Sequence, residues 1–108
     1  MTQFECPYLN AEVELSAERE AHIADRHPDL LPAHRDRIAE VLTHPDQVLR
    51  SARFGGARLF LRWYNDGPRG KHVVVVVVSE SGAVERHWII TAYHARRLPE
   101  GEVEWSGA

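Results

Sequence analysis

The chain has 108 residues, of which 44% are hydrophobic, with one cysteine and a formal net charge of −3. This length suits one domain over residues 1–108, and a lone cysteine excludes an internal disulfide. The acidic balance argues against indiscriminate adhesion to nucleic acid, and the longest apolar run, residues 73–78, is too short to cross a membrane. The first residues lack a basic region and an apolar stretch, so we expect no export and a cytoplasmic location.

Two helices are predicted in the first half of the chain. The segment 15–28 has Ser16 as a suitable N-cap, glutamates in its first turn and Pro28 at its end. A second helix is predicted to begin near Pro32 and to end before residues 44–46. Its amphipathic stripe consists of Leu31, Ile38, Val41 and Leu42.

From residue 46 onward the hydrophobic period changes to two, which is typical of strands. Four strands are predicted, at 46–54, 58–64, 71–79 and 83–94. The third contains an unbroken valine run, which favours a strand that is covered on both faces. In the fourth, alternation places Ile89, Thr91 and Tyr93 on one face.

The remaining segments are polar. A turn at 65–70 joins the second and third strands. In the polar tail, residues 95–108, only Val103 and Trp105 could return to the sheet as a short edge strand. The order of the elements predicts an α+β domain, with two N-terminal helices packed on a twisted, mainly antiparallel sheet of about four strands.

A first candidate site lies at the end of the first helix. His22 and Arg26 are four residues apart and share a helix face, while His27 lies in the last turn. An unperturbed histidine titrates near neutrality, so an imidazole beside an arginine suits proton transfer next to an anionic substrate. The alternative is structural, with His27 as a cap and His22 on the surface. A metal site is not indicated, because a spacing of five does not put two histidines on one helical face.

Two further groups could contact a ligand. Thr91 and Tyr93 could bring a hydroxyl and a phenol to one substrate, although both are ordinary strand residues. The segment 49–72 carries six basic side chains against one acidic side chain. Within it Arg58, Arg62 and Lys71 could meet across a hairpin and bind phosphate. A solvated sheet surface would show the same pattern.

Four motifs, taken in order, resemble one family. They are HIADRHPDL at 22–30, IAEVLTHPDQVL at 38–49, RWYNDGPRGKHVVVVVV at 62–78 and WIITAY at 88–93. The order and spacing of these motifs are similar to those of the phage-associated domains in the barnase, EndoU, colicin and RelE-like (BECR) nuclease superfamily. The resemblance covers about residues 13–94.

This resemblance implies a RelE- or barnase-like α+β fold and an endoribonuclease that needs no metal or other cofactor. It also implies a toxin-like protein that binds RNA and can be held inactive by a cognate inhibitor or antitoxin. The residues that it transfers to the active site are His22, Arg26, His27, Thr91 and Tyr93. We expect the histidines, Thr91 and Tyr93 to line one cleft.

In the implied reaction, His22 takes the proton of a ribose 2′-hydroxyl, which attacks the adjacent phosphate. His27 or Tyr93 protonates the leaving oxygen. Thr91 holds a phosphate oxygen, and the charge of the phosphorane is stabilised by Arg26, Arg62 and Lys71.

Two other interpretations stay open at this point. The acidic first half and a pI near 6.1 are unusual for a protein that relies on attraction to phosphate. They favour a non-catalytic module of the same fold that binds RNA or protein. A toxin whose target is not RNA is the third possibility, because folds are reused for other functions.

Overall fold

A computed structural model describes residues 1–53, 55–67 and 70–107. The chain begins with a hairpin of β1 (Thr2–Cys6) and β2 (Ala11–Leu15), joined by a single 3₁₀ turn (Pro7–Leu9). Two helices follow, α1 (Ala17–Arg26) and α2 (Arg35–Thr43). The remaining strands are β3 (Gln47–Ser51), β4 (Ala57–Tyr64), β5 (Lys71–Glu80), β6 (Arg86–Ala95) and β7 (Gly101–Ser106).

All seven strands form one mixed sheet in the order β1-β2-β6-β5-β4-β3-β7. Neighbouring strands are antiparallel except β2 and β6, which are parallel. The α+β class agrees with the sequence, but the predicted architecture is wrong in two respects. The sheet has seven strands rather than about four, and the helices follow a β-hairpin rather than opening the chain.

The hairpin escaped sequence analysis because its strands are short and weakly patterned. Each has five residues and buries only two apolar side chains, Phe4 and Cys6 in β1 and Val13 and Leu15 in β2. An isolated hairpin of this kind is marginally stable in water. It forms here because β2 joins β6 and because α2 packs on β1.

The C-terminal tail also belongs to the sheet. β6 extends to Ala95, and β7 pairs with β3 as an edge strand that contains Val103 and Trp105. The sequence predicted these same two residues as the ones that could return to the sheet in a short edge strand. Part of the predicted first strand and of the predicted turn, Phe54, Pro68 and Arg69, lies outside the described residues.

Apolar side chains cover both faces of the central strands. Val73, Val75 and Val77 of β5 pack in the core that includes the buried residues of both helices. The opposite face, called the second face below, has its own core of Leu49, Ala57, Leu59, Leu61, Val74 and Val76. The prediction that the valine run is covered on both sides is therefore confirmed.

Residues 96–100, called the crossover segment below, connect β6 to β7 across the second face. The segment leaves β6 beside the start of β5, where Ala95 pairs with His72, and reaches the end of β3, where Gly101 pairs with Ser51. Two neighbouring residues of the segment, Leu98 and Pro99, line two different cavities. The crossover segment therefore divides the second face into two compartments. In the described part of the chain, no helix is long and apolar enough to cross a membrane.

Candidate active site

α1 is fixed along the edge of β6, beyond the point where β2 ends. The Ser16 hydroxyl caps the helix by accepting a hydrogen bond from the Arg19 backbone N–H at 3.1 Å. Ile23 is fully buried, and the Arg19 guanidinium donates to the Ile90 carbonyl at 3.4 Å. These contacts bring the last turn of the helix, which ends at His27, next to β6.

A β-bulge in β6 sets the direction of the side chains that follow it. Ile89 lies opposite Val77, but Thr91 lies opposite Val76, so Ile90 is an extra residue. From this extra residue onward, the bulge reverses which side chains of β6 point to which face of the sheet. The Ile89 side chain lies on the helix-covered face of the sheet, whereas the side chains of Thr91 and Tyr93 lie on the second face. The predicted grouping of Thr91 with Tyr93 is correct, and the inclusion of Ile89 in that group is wrong.

A cavity of about 600 Å³ opens where α1 meets this part of β6, and it is called the His27–Tyr93 cavity below. The rings of His27 and Tyr93 are 5.8 Å apart between centroids, and Thr91 lies on the same wall. Leu59 and Val76 contribute apolar surface.

The polar residues on the other walls come from distant parts of the chain. Ser51 is the last residue of β3 and Arg53 follows that strand, whereas Pro99 and Glu100 belong to the crossover segment. The cavity therefore combines an imidazole, a carboxylate, a guanidinium and two hydroxyl-bearing residues of β6. These groups can exchange a proton and bind an anion.

Arg53 gives this cavity its positive charge. Among the residues that the structure describes, no carboxylate lies within ion-pair distance of its guanidinium. Burial raises the pKa of the Tyr93 phenol, and the charge of Arg53 partly offsets this effect. Tyr93 therefore keeps its proton at neutral pH and can donate a hydrogen bond.

A polar contact holds the chain after α1 against β6. Asp29 Oδ2 lies 2.7 Å from Nδ1 of His94, whose side chain is 7% exposed. Burial raises the pKa of Asp29, but the hydrogen bond and charge of His94 outweigh this and lower it. Because Asp29 and His94 follow His27 and Tyr93 closely in the chain, their contact keeps those two rings together. This pair was not predicted from the sequence, although Asp29 lies in the motif at 22–30 and His94 directly follows the motif at 88–93.

His22 and Arg26 do not line the His27–Tyr93 cavity, and both are exposed on α1. Successive helical residues are rotated by about 100°, so when Ile23 faces the core His22 points well away from it. His27 is rotated by only about 40° from Ile23 and stays on the packed side. The structure thus brings together His27, Thr91 and Tyr93 and leaves the other two predicted residues outside.

The three predicted phosphate-binding residues lie elsewhere. Arg58 is on the helix-covered side, where Nε donates to Glu104 at 2.8 Å. Arg62 donates to the His44 carbonyl at 2.7 Å and lines a different cavity. Lys71 is half-buried at the start of β5, opposite Tyr64. Arg53, from the same basic segment, reaches the His27–Tyr93 cavity instead.

Sequence analysis missed Arg53 and Glu100 as candidate site residues. The excess of basic residues in 49–72 pointed to the segment that contains Arg53, but not to the individual residue. Nothing in the polar tail distinguishes Glu100. Both reach the cavity only because the crossover segment passes over the second face.

Within residues 1–53, 55–67 and 70–107, no three His, Cys, Asp or Glu side chains are grouped so that they could hold a metal ion. Comparisons with family models, with curated proteins and with solved structures find no match for this chain. The nuclease resemblance therefore stays a prediction, and the geometry of the cavity must support any function that is proposed.

Proposed function

We propose that the protein is a metal-independent endoribonuclease of the BECR type and that it acts at the His27–Tyr93 cavity. The observation that carries this proposal is the convergence of His27, Glu100 and Arg53 on one cavity. Cleavage of RNA by its own 2′-hydroxyl needs a base, an acid and a positive charge near the phosphate. These three residues supply one group of each kind.

The proposed reaction is an internal transesterification. The Glu100 carboxylate takes the proton of the 2′-hydroxyl, whose oxygen attacks phosphorus, and the bond from phosphorus to the 5′-oxygen breaks. Protonated His27 gives its proton to that leaving oxygen. The products are a 2′,3′-cyclic phosphate and a 5′-hydroxyl. Glu100 replaces His22 as the proposed base, because His22 is exposed outside the cavity.

Arg53, Thr91 and Tyr93 stabilise the phosphate in this proposal. The guanidinium fork of Arg53 matches two phosphate oxygens. Thr91 and Tyr93 donate hydrogen bonds, and the raised pKa of Tyr93 keeps its donor in place. Donors that are fixed by a sheet need little rearrangement when charge develops, which makes such stabilisation effective.

The distribution of unpaired cations supports an anionic polymer as the substrate. In the described part of the chain, four arginines form no ion pair and are near the cavity in sequence or in space: Arg26, Arg53, Arg96 and Arg97. Local positive charge can bind phosphates even when the whole protein carries a net charge of −3. We also propose that the protein is cytoplasmic and that a cognate inhibitor protein blocks the cavity.

The test is to incubate the full chain with RNA in the presence of a chelator and to analyse the product ends. We expect 2′,3′-cyclic phosphates, and a loss of rate of about 100-fold or more in His27→Gln, because general acid catalysis contributes at least this much. The matched control is His22→Gln, on the same helix, which should retain the wild-type rate. Binding of RNA without any cleavage, or equal losses in the two variants, would contradict the proposal.

A further inference from the structure

A second cavity, of about 530 Å³, lies on the other side of the crossover segment, and it is called the Trp105 cavity below. Leu98 of the crossover segment lines it, whereas the next residue, Pro99, lines the His27–Tyr93 cavity. The two cavities are therefore adjacent and share one wall. The proposed cleavage reaction does not use the Trp105 cavity.

The walls of the Trp105 cavity are largely apolar. Leu61, Leu98 and Trp105 line it, and Leu98 is 53% exposed. The Trp105 ring lies beside the Tyr8 ring, at 6.1 Å between centroids, and the residue is still 39% exposed. Exposed large apolar residues beside a cavity suit a ligand with a flat apolar face. In proteins that bind single-stranded RNA, aromatic side chains serve this purpose by stacking on unpaired bases.

The charges in the Trp105 cavity are already compensated. The Arg62 guanidinium lies 3.5 Å from Glu40 and 4.0 Å from Asp46. Burial lowers the pKa of His72, against the opposing effect of Asp46, so its imidazole is neutral at neutral pH. No uncompensated cation remains among these groups to attract a phosphate. The cavity therefore favours a neutral ligand, in contrast to the His27–Tyr93 cavity, where no described carboxylate pairs with Arg53.

Polar atoms of the cavity could contact the edge of a neutral ring. Gln47 Oε1 is buried and has no hydrogen-bond partner among the described residues. His72 in its neutral form offers one donor and one acceptor, and a rotation of the Gln47 side chain would bring its unpartnered Oε1 into the cavity as a further acceptor. A nucleobase has the matching combination of flat faces and a polar edge.

We propose that the Trp105 cavity binds a nucleobase of single-stranded RNA, next to the nucleotide whose phosphate occupies the His27–Tyr93 cavity. This inference rests on the proposed ribonuclease function and adds a base-recognition site to it. The crossover segment lies between the two cavities, and its exposed Arg96 and Arg97 can contact the connecting RNA backbone.

The test uses the full chain, labelled with ¹⁵N, and 5′-nucleoside monophosphates (AMP, GMP, CMP and UMP), which contain no bond that the proposed reaction could cleave. The Trp105 indole N–H signal is assigned with Trp105→Phe. We expect at least one nucleotide to shift this signal saturably, whereas ribose 5-phosphate, which lacks a base, leaves it in place.

A pair of variants locates the binding. Leu98→Glu puts a charged side chain at the cavity wall and should weaken nucleotide binding by about tenfold or more, because it displaces the apolar contact with the base. Val84→Glu is the matched control: Val84 is 75% exposed in the turn before β6 and should not alter binding. If Leu98→Glu fails to fold, Leu98→Ala takes its place, with weaker binding expected.

The outcomes separate this inference from the proposed reaction. If no nucleotide shifts the Trp105 signal, or if ribose 5-phosphate shifts it equally, the base site is wrong even when RNA is cleaved. If nucleotides shift it in a base-dependent manner but RNA stays intact, the base site is supported and the proposed cleavage is wrong.

Discussion

Two arginines from the basic segment 49–72 differ in their surroundings, and this difference decides which of them can bind a phosphate. Arg58 lies on the helix-covered side, where its side chain is 19% exposed and donates to Glu104. Glu104 also accepts from the Tyr8 hydroxyl at 2.6 Å. Arg53 lines the His27–Tyr93 cavity, and no carboxylate among the described residues pairs with it. Arg53 is therefore available to a substrate, whereas Arg58 stabilises the fold.

We predict opposite effects for Arg53→Gln and Arg58→Gln. Arg53→Gln should lower kcat/KM for RNA by about 100-fold, because a cation at the phosphate is lost, with little change in stability. Arg58→Gln should lower the free energy of unfolding by about 1–2 kcal/mol, because Glu104 loses a charged partner.

Cleavage kinetics and urea unfolding of the two variants check this prediction. Activity of Arg58→Gln is compared per folded molecule and should stay near the wild-type value. If Arg58→Gln loses much more activity than its loss of folded protein explains, Arg58 binds substrate and the prediction is wrong.

At the scale of elements, the crossover segment depends on a close backbone approach at its end. A Cβ atom at Gly101 would lie 2.4 Å from the Arg50 carbonyl oxygen and 3.2 Å from Leu49 Cβ. Both obstacles belong to β3, which cannot move without disturbing β4 and β7. Glycine at this position lets β7 begin beside β3 and thereby places Glu100 at the cavity.

We predict that Gly101→Ala destabilises the protein by about 2 kcal/mol, as expected when a methyl group is forced into a packed site. It should also lower RNA cleavage per folded molecule, because Glu100 moves with the backbone. Gly82→Ala is the matched control, since the nearest atom to its added Cβ is 3.9 Å away. Thermal unfolding and cleavage rates provide the measurement, and equal stability of the two variants would contradict the prediction.

At the scale of the whole molecule, titratable groups limit the pH range in which the fold is stable. Four carboxyls have a lowered pKa: Asp29, Glu104, Glu20 and Asp66. For Asp29 and Glu104 burial is the largest single effect and raises the pKa, but their hydrogen bonds and neighbouring positive charges together outweigh it. For Glu20 and Asp66 the hydrogen bond from an arginine is the main cause of the lowered pKa. Burial raises the pKa of all three tyrosines, Tyr8, Tyr64 and Tyr93.

We predict that the carboxyls make stability fall below about pH 5 and that the tyrosines make it fall above about pH 9. Carboxyls with a lowered pKa stabilise the fold above their unfolded pKa of about 4, and this contribution is lost as the pH falls through their folded values. The folded state holds the tyrosine protons more tightly, so their contribution is complete below the unfolded pKa of about 10 and is lost as the pH rises further.

Urea midpoints measured by circular dichroism between pH 2 and pH 12 check this profile. Tyr64 has the largest upward pKa shift among the tyrosines, so Tyr64→Phe should flatten the alkaline decline. Stability that increases above pH 10 would show that the tyrosines are not buried as described.

The helices and the four central strands could be predicted because their signals are local. Ser16 and Pro28 bound α1, and the apolar periods of 58–64 and 71–79 match β4 and β5. The β1–β2 hairpin could not be predicted in this way, since its short strands are held by β6 and α2. The bulge at Ile90 could not be predicted either, because a single inserted residue leaves no mark on an apolar sequence.

The sequence by itself determined the α+β class, the positions of most elements and the pairing of Thr91 with Tyr93 on one face. These follow from backbone geometry within a few residues, where the direction of each side chain depends on local dihedral angles. Only the tertiary structure decided that His27 rather than His22 meets Tyr93, and that Arg53 and Glu100 join them. Such contacts link segments far apart in the chain, and they depend on how the whole sheet packs, which local patterns do not specify.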